Sequence, residues 1–324
     1  MQGNSSLTTT SSDYHMQLVS SDRVKRALSI ALVQIFVWPS VYTNFLMFFA
    51  FSRKQVFQSE TRYILFAQTV LVDLIFLLLT NFVVILSFND ALMPVAFCIP
   101  LCMMMEMVTN CTPLTITAMC VERYVAICMP LRHSAISTTS RTMILILVIW
   151  IISAIFPFMD VFILIATSSQ EYLVELTYCH YEIMTPEHWH RHMRGIIYIL
   201  SFVVIVLVDI LCFVMISVAA RAASGDNKKS ASKGQRTLVL HLLQLLLCVI
   251  EIICPYIEVV LMDIDIELYL TIQIFDFLVF SILSRAVSPV AYGLRDEKFR
   301  AVLVYYAKCK MNHISETEKK IAAR

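Results

Sequence analysis

The sequence predicts an all-α membrane protein: a bundle of seven transmembrane helices with a short amphipathic helix along the inner leaflet. Two observations support this fold class. Hydrophobic residues make up 59% of the 324 positions and charged residues only 15%, which is more apolar surface than one water-soluble core can bury. The long apolar runs are also continuous, whereas the strands of a membrane β-barrel would alternate apolar and polar residues.

Seven apolar runs are long enough for a helix to cross about 30 Å of hydrocarbon. The predicted spans are residues 28–51, 63–88, 95–127, 143–165, 195–220, 238–262 and 268–292. Beyond the last span, Phe299, Val302, Leu303 and Tyr306 are spaced to form one apolar face. This spacing predicts a short helix that lies on the inner leaflet.

The distribution of Lys and Arg orients the bundle. If the N-terminus is outside the cell, 19 of the 25 basic residues are cytoplasmic, five are outside and Arg285 lies within a span. We therefore expect an extracellular tail at 1–26, the seven-helix domain with its inner-leaflet helix at 27–309, and a cytoplasmic tail at 310–324. The sequence NSS at residues 4–6 makes Asn4 a candidate for N-glycosylation.

Several classes of function are disfavoured by what the sequence lacks. A net charge of +1 without a clustered basic face argues against nucleic-acid binding. Metal-ligand spacings, a nucleophile elbow and a phosphate-binding loop are missing, so neither an enzyme nor a cofactor is expected. The predicted seventh span has no lysine for a retinal Schiff base, and a transporter would favour broken half-helices. The alternating His188, His190 and His192 favour a solvated outer loop over a copper or zinc site.

Glu122 and Arg123 stand side by side at the end of the third predicted span. Arg123 follows Cys98 by 25 residues. That is about 37 Å along a helix, which places Arg123 at the cytoplasmic mouth. A charged arginine there costs several kcal/mol unless it is paired or hydrated, so Glu122 is a natural partner. The pair predicts a latch that opens when helices part; the alternative is a helix end that merely snorkels its charges.

The same segment carries a family resemblance. Residues 119–131 read MCVERYVAICMPL, which resembles the MAYDRYVAICxPL signature of vertebrate odorant receptors, of the teleost type, among the rhodopsin-like (class A) G-protein-coupled receptors. Weaker similarity extends over nearly the whole chain. It includes Asn44, Asp73, Trp150, the degraded KGQRTLVLHL at 233–242 and the SPVAY at 288–292.

The resemblance implies a multi-pass plasma-membrane receptor of olfactory sensory neuron cilia. Such a receptor binds a small water-soluble ligand in the extracellular half and activates a stimulatory olfactory-type G protein, which raises cyclic AMP. It also implies one disulfide, Cys98 with Cys179. The residues that correspond to the family's coupling positions are Glu122, Arg123, Tyr124, His241 and Tyr292. A non-olfactory class A receptor for a lipid-like or hormone ligand remains the alternative, with a transporter less favoured.

Four ligand-facing positions on the third span follow from the resemblance: Met105, Glu106, Thr109 and Asn110. The further pocket walls that we expect, without a motif to support them, are His180, Tyr181, Ile196, Ile197, Ile252, Tyr256 and Asp276. Glu106 and Asn110 share one helix face because they are four residues apart. A carboxylate in apolar surroundings needs a partner. For Glu106, that partner is either a polar or cationic ligand or an internal base, His192 or Arg194.

Asp73 and Arg285 form a predicted intramembrane polar pair, because ionisable residues in lipid spans usually face the bundle interior. In the superfamily, sodium commonly binds at the position of Asp73. Thr112, Ser284 and Ser288 are the polar groups expected to help here. We expect Arg285 to replace this ion by pairing with Asp73; the alternative partner for Arg285 is Glu251.

Overall fold

The computed structural model describes residues 23–89, 91–179, 181–185, 187–222 and 266–286. It also describes the separate positions 239, 243, 246–247, 250–251, 254, 300, 302 and 304. Asn4, His241, Ile252, Tyr256, Ser288 and Tyr292 lie outside the described residues, as does His180.

Within the described ranges, five helices are long and apolar enough to cross a membrane. They are α1 (Arg23–Arg53), α2 (Thr61–Phe88), α3 (Val95–Cys128), α4 (Thr139–Thr167) and α5 (His188–Ala222). Each contains one of the first five predicted spans and extends up to seven residues beyond it. The N-terminal extension is longest at α5, where the helix begins at His188 instead of residue 195.

Shorter elements connect and follow these helices. The helix Ile266–Asp276 begins two residues before the seventh predicted span, and the π-helical segment Phe277–Leu283 lies within that span. Short helices occupy Gln55–Gln58, Pro130–Ile136 and Gln170–Val174, and a 3₁₀ turn occupies Tyr181–Met184. Two short strands, β1 (Met93–Pro94) and β2 (Leu176–Thr177), pair antiparallel with Met93 opposite Thr177 and Pro94 opposite Leu176. The sequence did not predict these strands.

Local sequence explains where several helices begin and how they tolerate proline. The Oγ1 of Thr138 accepts a hydrogen bond from the Arg141 backbone N–H at 3.4 Å and so caps the start of α4. Pro130 occupies the first turn of its short helix, where a missing N–H costs nothing. Proline also occurs inside the membrane helices, at Pro39, Pro100, Pro113 and Pro157. Membrane helices tolerate it because neighbouring groups satisfy the freed carbonyls.

Helix α3 lies at the centre of the described bundle, in contact with α2, α4 and α5. Its inward residues Cys111, Ile116 and Cys120 are fully buried. They belong to a central core that is completed by Phe76 of α2 and Ile216 of α5, among others. By contrast, the outer faces of α4 and α5 expose large apolar side chains along their length. Such faces suit contact with lipid hydrocarbon.

The end of the bundle that is predicted to be cytoplasmic has its own apolar cluster, which contains Met47 of α1, Phe57, and Tyr63 and Phe66 of α2. Val302 packs against this cluster. Positions 300, 302 and 304 are helical, and Arg300 and Val304 are exposed while Val302 is partly buried. This placement agrees with the apolar face predicted for the inner-leaflet helix.

At the end of the bundle that the charge distribution predicts to be extracellular, a disulfide joins Cys98 at the start of α3 to Cys179, with a Cα–Cα distance of 5.4 Å. The predicted pairing is therefore confirmed. The Tyr172 hydroxyl donates a hydrogen bond to the Ile183 carbonyl oxygen at 2.9 Å and so joins two parts of the same loop. Burial, and then the nearby Glu175 carboxylate, raise the pKa of Tyr172, so the hydroxyl keeps its proton.

Candidate functional site

A buried polar network in the outer half of the bundle contains Glu106 and Asn110, two of the predicted ligand-facing residues. Glu106 lies on α3, eight residues after Cys98. That is about 12 Å along the helix from the disulfide toward the membrane interior. The side chain of Glu106 is only 8% exposed, although it is a carboxylate in a span otherwise rich in Met and Cys.

Two side chains contact the Glu106 carboxylate, and a third holds one of them in place. Arg194 Nη2 of α5 lies 2.7 Å from Glu106 Oε1. The Tyr198 hydroxyl donates to the same oxygen at 2.5 Å, and Asn110 Nδ2 donates to the Tyr198 hydroxyl at 3.0 Å. Of the two internal bases named from the sequence, Arg194 is therefore the partner, while His192 is exposed.

Asp160 of α4 extends the network to a third helix. Arg194 Nη1 lies 3.1 Å from Asp160 Oδ2, and His190 Nε2 lies 2.9 Å from Asp160 Oδ1. Asp160 is fully buried and His190 is 2% exposed. The prediction of a solvated outer loop at the three histidines was therefore wrong at His190, because α5 begins before it and turns the imidazole into the bundle.

The other predicted ligand-facing residues that the structure describes lie on several different elements. Met105 and Thr109 lie beside Glu106 on α3, and the Thr109 hydroxyl donates to the Met105 carbonyl oxygen at 2.8 Å. Ile197 and Asp276 are partly buried. Tyr181 lies in the 3₁₀ turn of the outer loop.

Ile196 was predicted to face the ligand, and the structure contradicts this placement. Its side chain is 55% exposed. It shares a helix face with the exposed Ile199, Leu200 and Val203, because residues three, four and seven apart align on one side of a helix. That face of α5 points away from Glu106 and suits lipid contact.

A second buried carboxylate, Asp209, joins α5 to α3 nearer the cytoplasm. The Thr117 hydroxyl of α3 donates to Asp209 Oδ2 at 3.0 Å, and Asp209 is fully buried. Neither Asp160 nor Asp209 was predicted from the sequence as a site residue. The signal was present, because both are acids inside predicted spans, where ionisable residues usually have a role.

At the cytoplasmic end of α3, Glu122 contacts two bases. Arg123 Nε lies 3.4 Å from Glu122 Oε2, and His133 Nε2 of the following short helix lies 3.4 Å from Glu122 Oε1. The Arg123 side chain is 29% exposed and the Glu122 side chain 9%. Tyr124 packs against the central core. The pairing of Glu122 with Arg123 is thus present, and His133 is an additional partner that the sequence analysis did not name.

Arg285 in the seventh predicted span lies between two acids. Its Nη1 donates to the Glu251 carboxylate at 3.0 and 3.1 Å, and its Nε lies 3.8 Å from Asp73 Oδ1. The guanidinium carbon also lies 3.5 Å from the centre of the Phe76 ring. Both partners foreseen for Arg285 are therefore present; of the two acids, Glu251 accepts hydrogen bonds, and the Ser281 carbonyl oxygen accepts a further one from Nη1 at 2.7 Å.

Two of the three hydroxyls expected to assist Asp73, those of Thr112 and Ser284, are directed elsewhere. The Thr112 hydroxyl donates to the Val108 carbonyl oxygen at 3.3 Å, and the Ser284 hydroxyl donates to the Phe280 carbonyl oxygen at 2.5 Å. Within the part of the chain that the structure describes, no group of three or more His, Cys, Asp or Glu residues could hold a metal ion.

Comparison with known proteins identifies the fold family. The family described as "7 transmembrane receptor (rhodopsin family)" matches residues 43–292. Odorant receptor 131-2 of Danio rerio is 37% identical over 277 residues, which cover 86% of this chain and 85% of that protein.

A shorter similarity links the chain to a hormone receptor. Growth hormone secretagogue receptor type 1 of Rattus norvegicus is 52% identical over 48 residues, and the same receptor of Homo sapiens is 50% identical over 48 residues. Each match covers 15% of this chain and 13% of the relative. These relatives are receptors, in agreement with the expectation that the chain is not an enzyme. The chain belongs to the rhodopsin-like family of G-protein-coupled seven-transmembrane receptors, and over most of its length it is a homologue of a fish odorant receptor.

Proposed function

We propose that this receptor is a chemosensory receptor for small water-soluble odorants, coupled to a stimulatory olfactory-type G protein that raises cyclic AMP. One observation carries the proposal: the 37% identity to an odorant receptor over 86% of the chain. We further propose the plasma membrane of olfactory sensory cilia as its location, with the N-terminus outside and Asn4 glycosylated.

The ligand would bind at the outer network, defined here as Glu106, Asn110, Asp160, Arg194 and Tyr198. These residues come from three different helices, α3, α4 and α5, so a ligand that contacts them would act on how the helices pack. A ligand shifts a two-state bundle only if it binds one state more tightly. Replacing an internal contact of Arg194 or Tyr198 by a ligand contact would supply such a difference.

The signal would pass along α3 and α5 to the cytoplasmic side. Glu106 and Arg123 are 17 residues apart on α3, which is about 26 Å of rigid helix. Between them, the hydrogen bond from Thr117 to Asp209 ties α3 to α5. A shift of α5 against α3 therefore reaches the inner half of the bundle through a specific polar contact.

At the inner rim, separation of Glu122 from Arg123 would free the guanidinium to meet the G protein. The contact is 3.4 Å long and partly exposed, so it is weak enough to be exchanged for a contact with a partner. The docking surface would include Tyr124, the loop at residues 132–141 and the basic segment 228–236.

A hormone receptor is the alternative function, and the observations favour it less. The similarity to growth hormone secretagogue receptors is confined to 15% of the chain. A short match within one superfamily is expected from shared helix and coupling motifs, so it says little about the ligand.

A cell assay tests the proposal. Cells that express the receptor with an olfactory-type stimulatory α subunit would be exposed to a panel of water-soluble odorants, and cyclic AMP would be measured. We expect a dose-dependent rise for wild type and for Arg53→Ala, which removes an exposed arginine at the cytoplasmic end of α1. Arg123→Ala should lose the rise while keeping surface expression. A response that runs only through another G-protein class would contradict the proposed coupling.

A further inference from the structure

The outer network holds more acid than base in a buried setting. It contains two carboxylates, Glu106 and Asp160, and one guanidinium, Arg194, which contacts both at 2.7 and 3.1 Å. His190 is the one other basic group in contact with these acids among the described residues, and it faces Asp160 alone. The network therefore has two carboxyl groups for one guanidinium, and the imidazole faces only one of the two.

Burying this excess of acidic over basic groups costs free energy. Glu106 is 8% exposed and Asp160 fully buried, on helices that cross the hydrocarbon layer. A buried carboxylate is stable only when donors or cations compensate for its lost hydration. One guanidinium is shared by the two acids, and among the described residues Glu106 has no second cation of its own.

The shortfall can be located at a particular atom. The described contacts of Glu106 go to Oε1, which receives both Arg194 and the Tyr198 hydroxyl. Among the described residues, none donates a hydrogen bond to Glu106 Oε2, although this oxygen is buried. An unsatisfied buried acceptor costs about 1–3 kcal/mol, and more when it is charged.

We propose that Glu106 Oε2 is the recognition point for an ammonium group, so that the ligands of this receptor are small organic amines. This inference rests on the proposed function, because it names the ligand class of the same site. An ammonium ion brings both missing elements, a positive charge and N–H donors. A carboxylate ligand would instead add negative charge to a network that already has an excess.

The surroundings of Glu106 suit the apolar part of an amine. The Phe156 ring lies 5.1 Å from the Tyr198 ring, and Tyr198 holds the Glu106 carboxylate in place. Asn110 Nδ2 in turn donates a hydrogen bond to the Tyr198 hydroxyl. The carboxylate is thus held before a ligand arrives, which lowers the ordering cost of binding.

The test uses triads of ligands that differ in one group: hexylamine, 1-hexanol and hexanoate, then 2-phenylethylamine, 2-phenylethanol and phenylacetate. Each would be titrated against the purified full-length receptor, with binding measured as a rise in the thermal unfolding temperature. The variants are Glu106→Gln and the matched Glu171→Gln, which changes an exposed acid of the outer loop.

We expect at least one amine to stabilise wild type and Glu171→Gln at concentrations at which its alcohol and acid do not. Glu106→Gln should weaken the binding of that amine at least tenfold, because a charge-assisted hydrogen bond is lost. If Glu106→Gln fails to fold, Glu106→Asp keeps the charge and should retain the preference for the amine over the alcohol. The inference is overturned if no amine binds wild type better than its matched alcohol, or if Glu106→Gln keeps the preference.

This binding assay contains no G protein, so it separates the inference from the proposed function. Binding of an amine without any cyclic AMP response in cells would leave the inference standing and count against the proposed signalling. A cyclic AMP response confined to alcohols or acids would support the proposed signalling and count against the inference.

Discussion

The guanidinium of Arg194 on α5 lies 2.7 Å from the carboxylate of Glu106 on α3, and both side chains are largely buried. This ion pair joins the two helices that lead from the outer network to the cytoplasmic rim. Arg194 also holds Asp160 of α4, so one cation fixes the relative positions of three helices. The stability of the outer half should therefore depend strongly on this one residue.

Replacing Arg194 tests that dependence. Arg194→Met leaves two buried acids without their shared cation, which should cost about 3–5 kcal/mol of stability. The unfolding temperature of the purified receptor should fall by several degrees, together with surface expression. Arg221→Met, which removes an exposed arginine at the end of α5, should change neither. Equal unfolding temperatures for Arg194→Met and wild type would show that the network contributes little to stability.

The disulfide at the outer end gives a second prediction. Cys98→Ser, Cys179→Ser and the double variant should each lose about 2–4 kcal/mol, since all three remove the same cross-link. The double variant should lose no more stability than either single variant. Cys128→Ser removes a thiol outside the disulfide and serves as the control. Additive losses in the double variant would mean that the two cysteines stabilise the receptor independently.

The position of Arg285 beside Asp73 leads to a prediction of how ligand binding responds to sodium. Because Arg285 already places a positive charge 3.8 Å from Asp73, we expect ligand affinity in wild type to be the same in sodium and in N-methylglucamine at equal ionic strength. Arg285→Ala removes the charge shared by Asp73 and Glu251, so sodium dependence should appear. Strong sodium dependence in wild type would contradict the replacement of the ion by Arg285.

Glu122 predicts the level of basal signalling. Glu122→Gln removes the acid that contacts both Arg123 and His133, so the inner rim should open more readily. A partly exposed ion pair contributes up to about 1 kcal/mol. Losing that contribution would shift the equilibrium toward the active state, and so raise basal cyclic AMP, by up to roughly fivefold. Glu60→Gln breaks a more exposed acid–arginine pair, with Arg62 at 2.7 Å, and should leave basal cyclic AMP unchanged. A fall in basal signal in Glu122→Gln would mean that Glu122 supports the active state instead.

The elements of the fold were predictable because they depend on local sequence. Continuous apolar runs predicted the bounds of α1 to α5 to within seven residues at each end. The spacing of apolar residues around Val302 predicted the face on which Val302 packs. The choice of partners was less predictable, since it depends on how each helix is rotated in the bundle. Thus Glu106 could be assigned to a ligand, to His192 or to Arg194, and only the helix packing places Arg194 against it.

The remaining errors of the sequence-based prediction have the same physical cause. Asp160 and Asp209 are single acids within very apolar runs, and their roles become visible only where α4 and α5 pack beside α3. His190 was misplaced because the sequence gives no clear sign that α5 begins at His188, seven residues before its apolar run. Ile196 was misplaced because a helix entirely lined with apolar residues does not reveal which face meets lipid.

Guanine nucleotide exchange on a purified olfactory-type stimulatory heterotrimer tests the central claim most directly. The receptor would be embedded in lipid nanodiscs, and exchange would be followed with and without an odorant that raised cyclic AMP in cells. We expect the odorant to accelerate exchange with wild type, and to have no effect with Arg123→Ala. Exchange that the odorant leaves unchanged in wild type, or accelerates equally in Arg123→Ala, would contradict a receptor that signals through Arg123 at its inner rim.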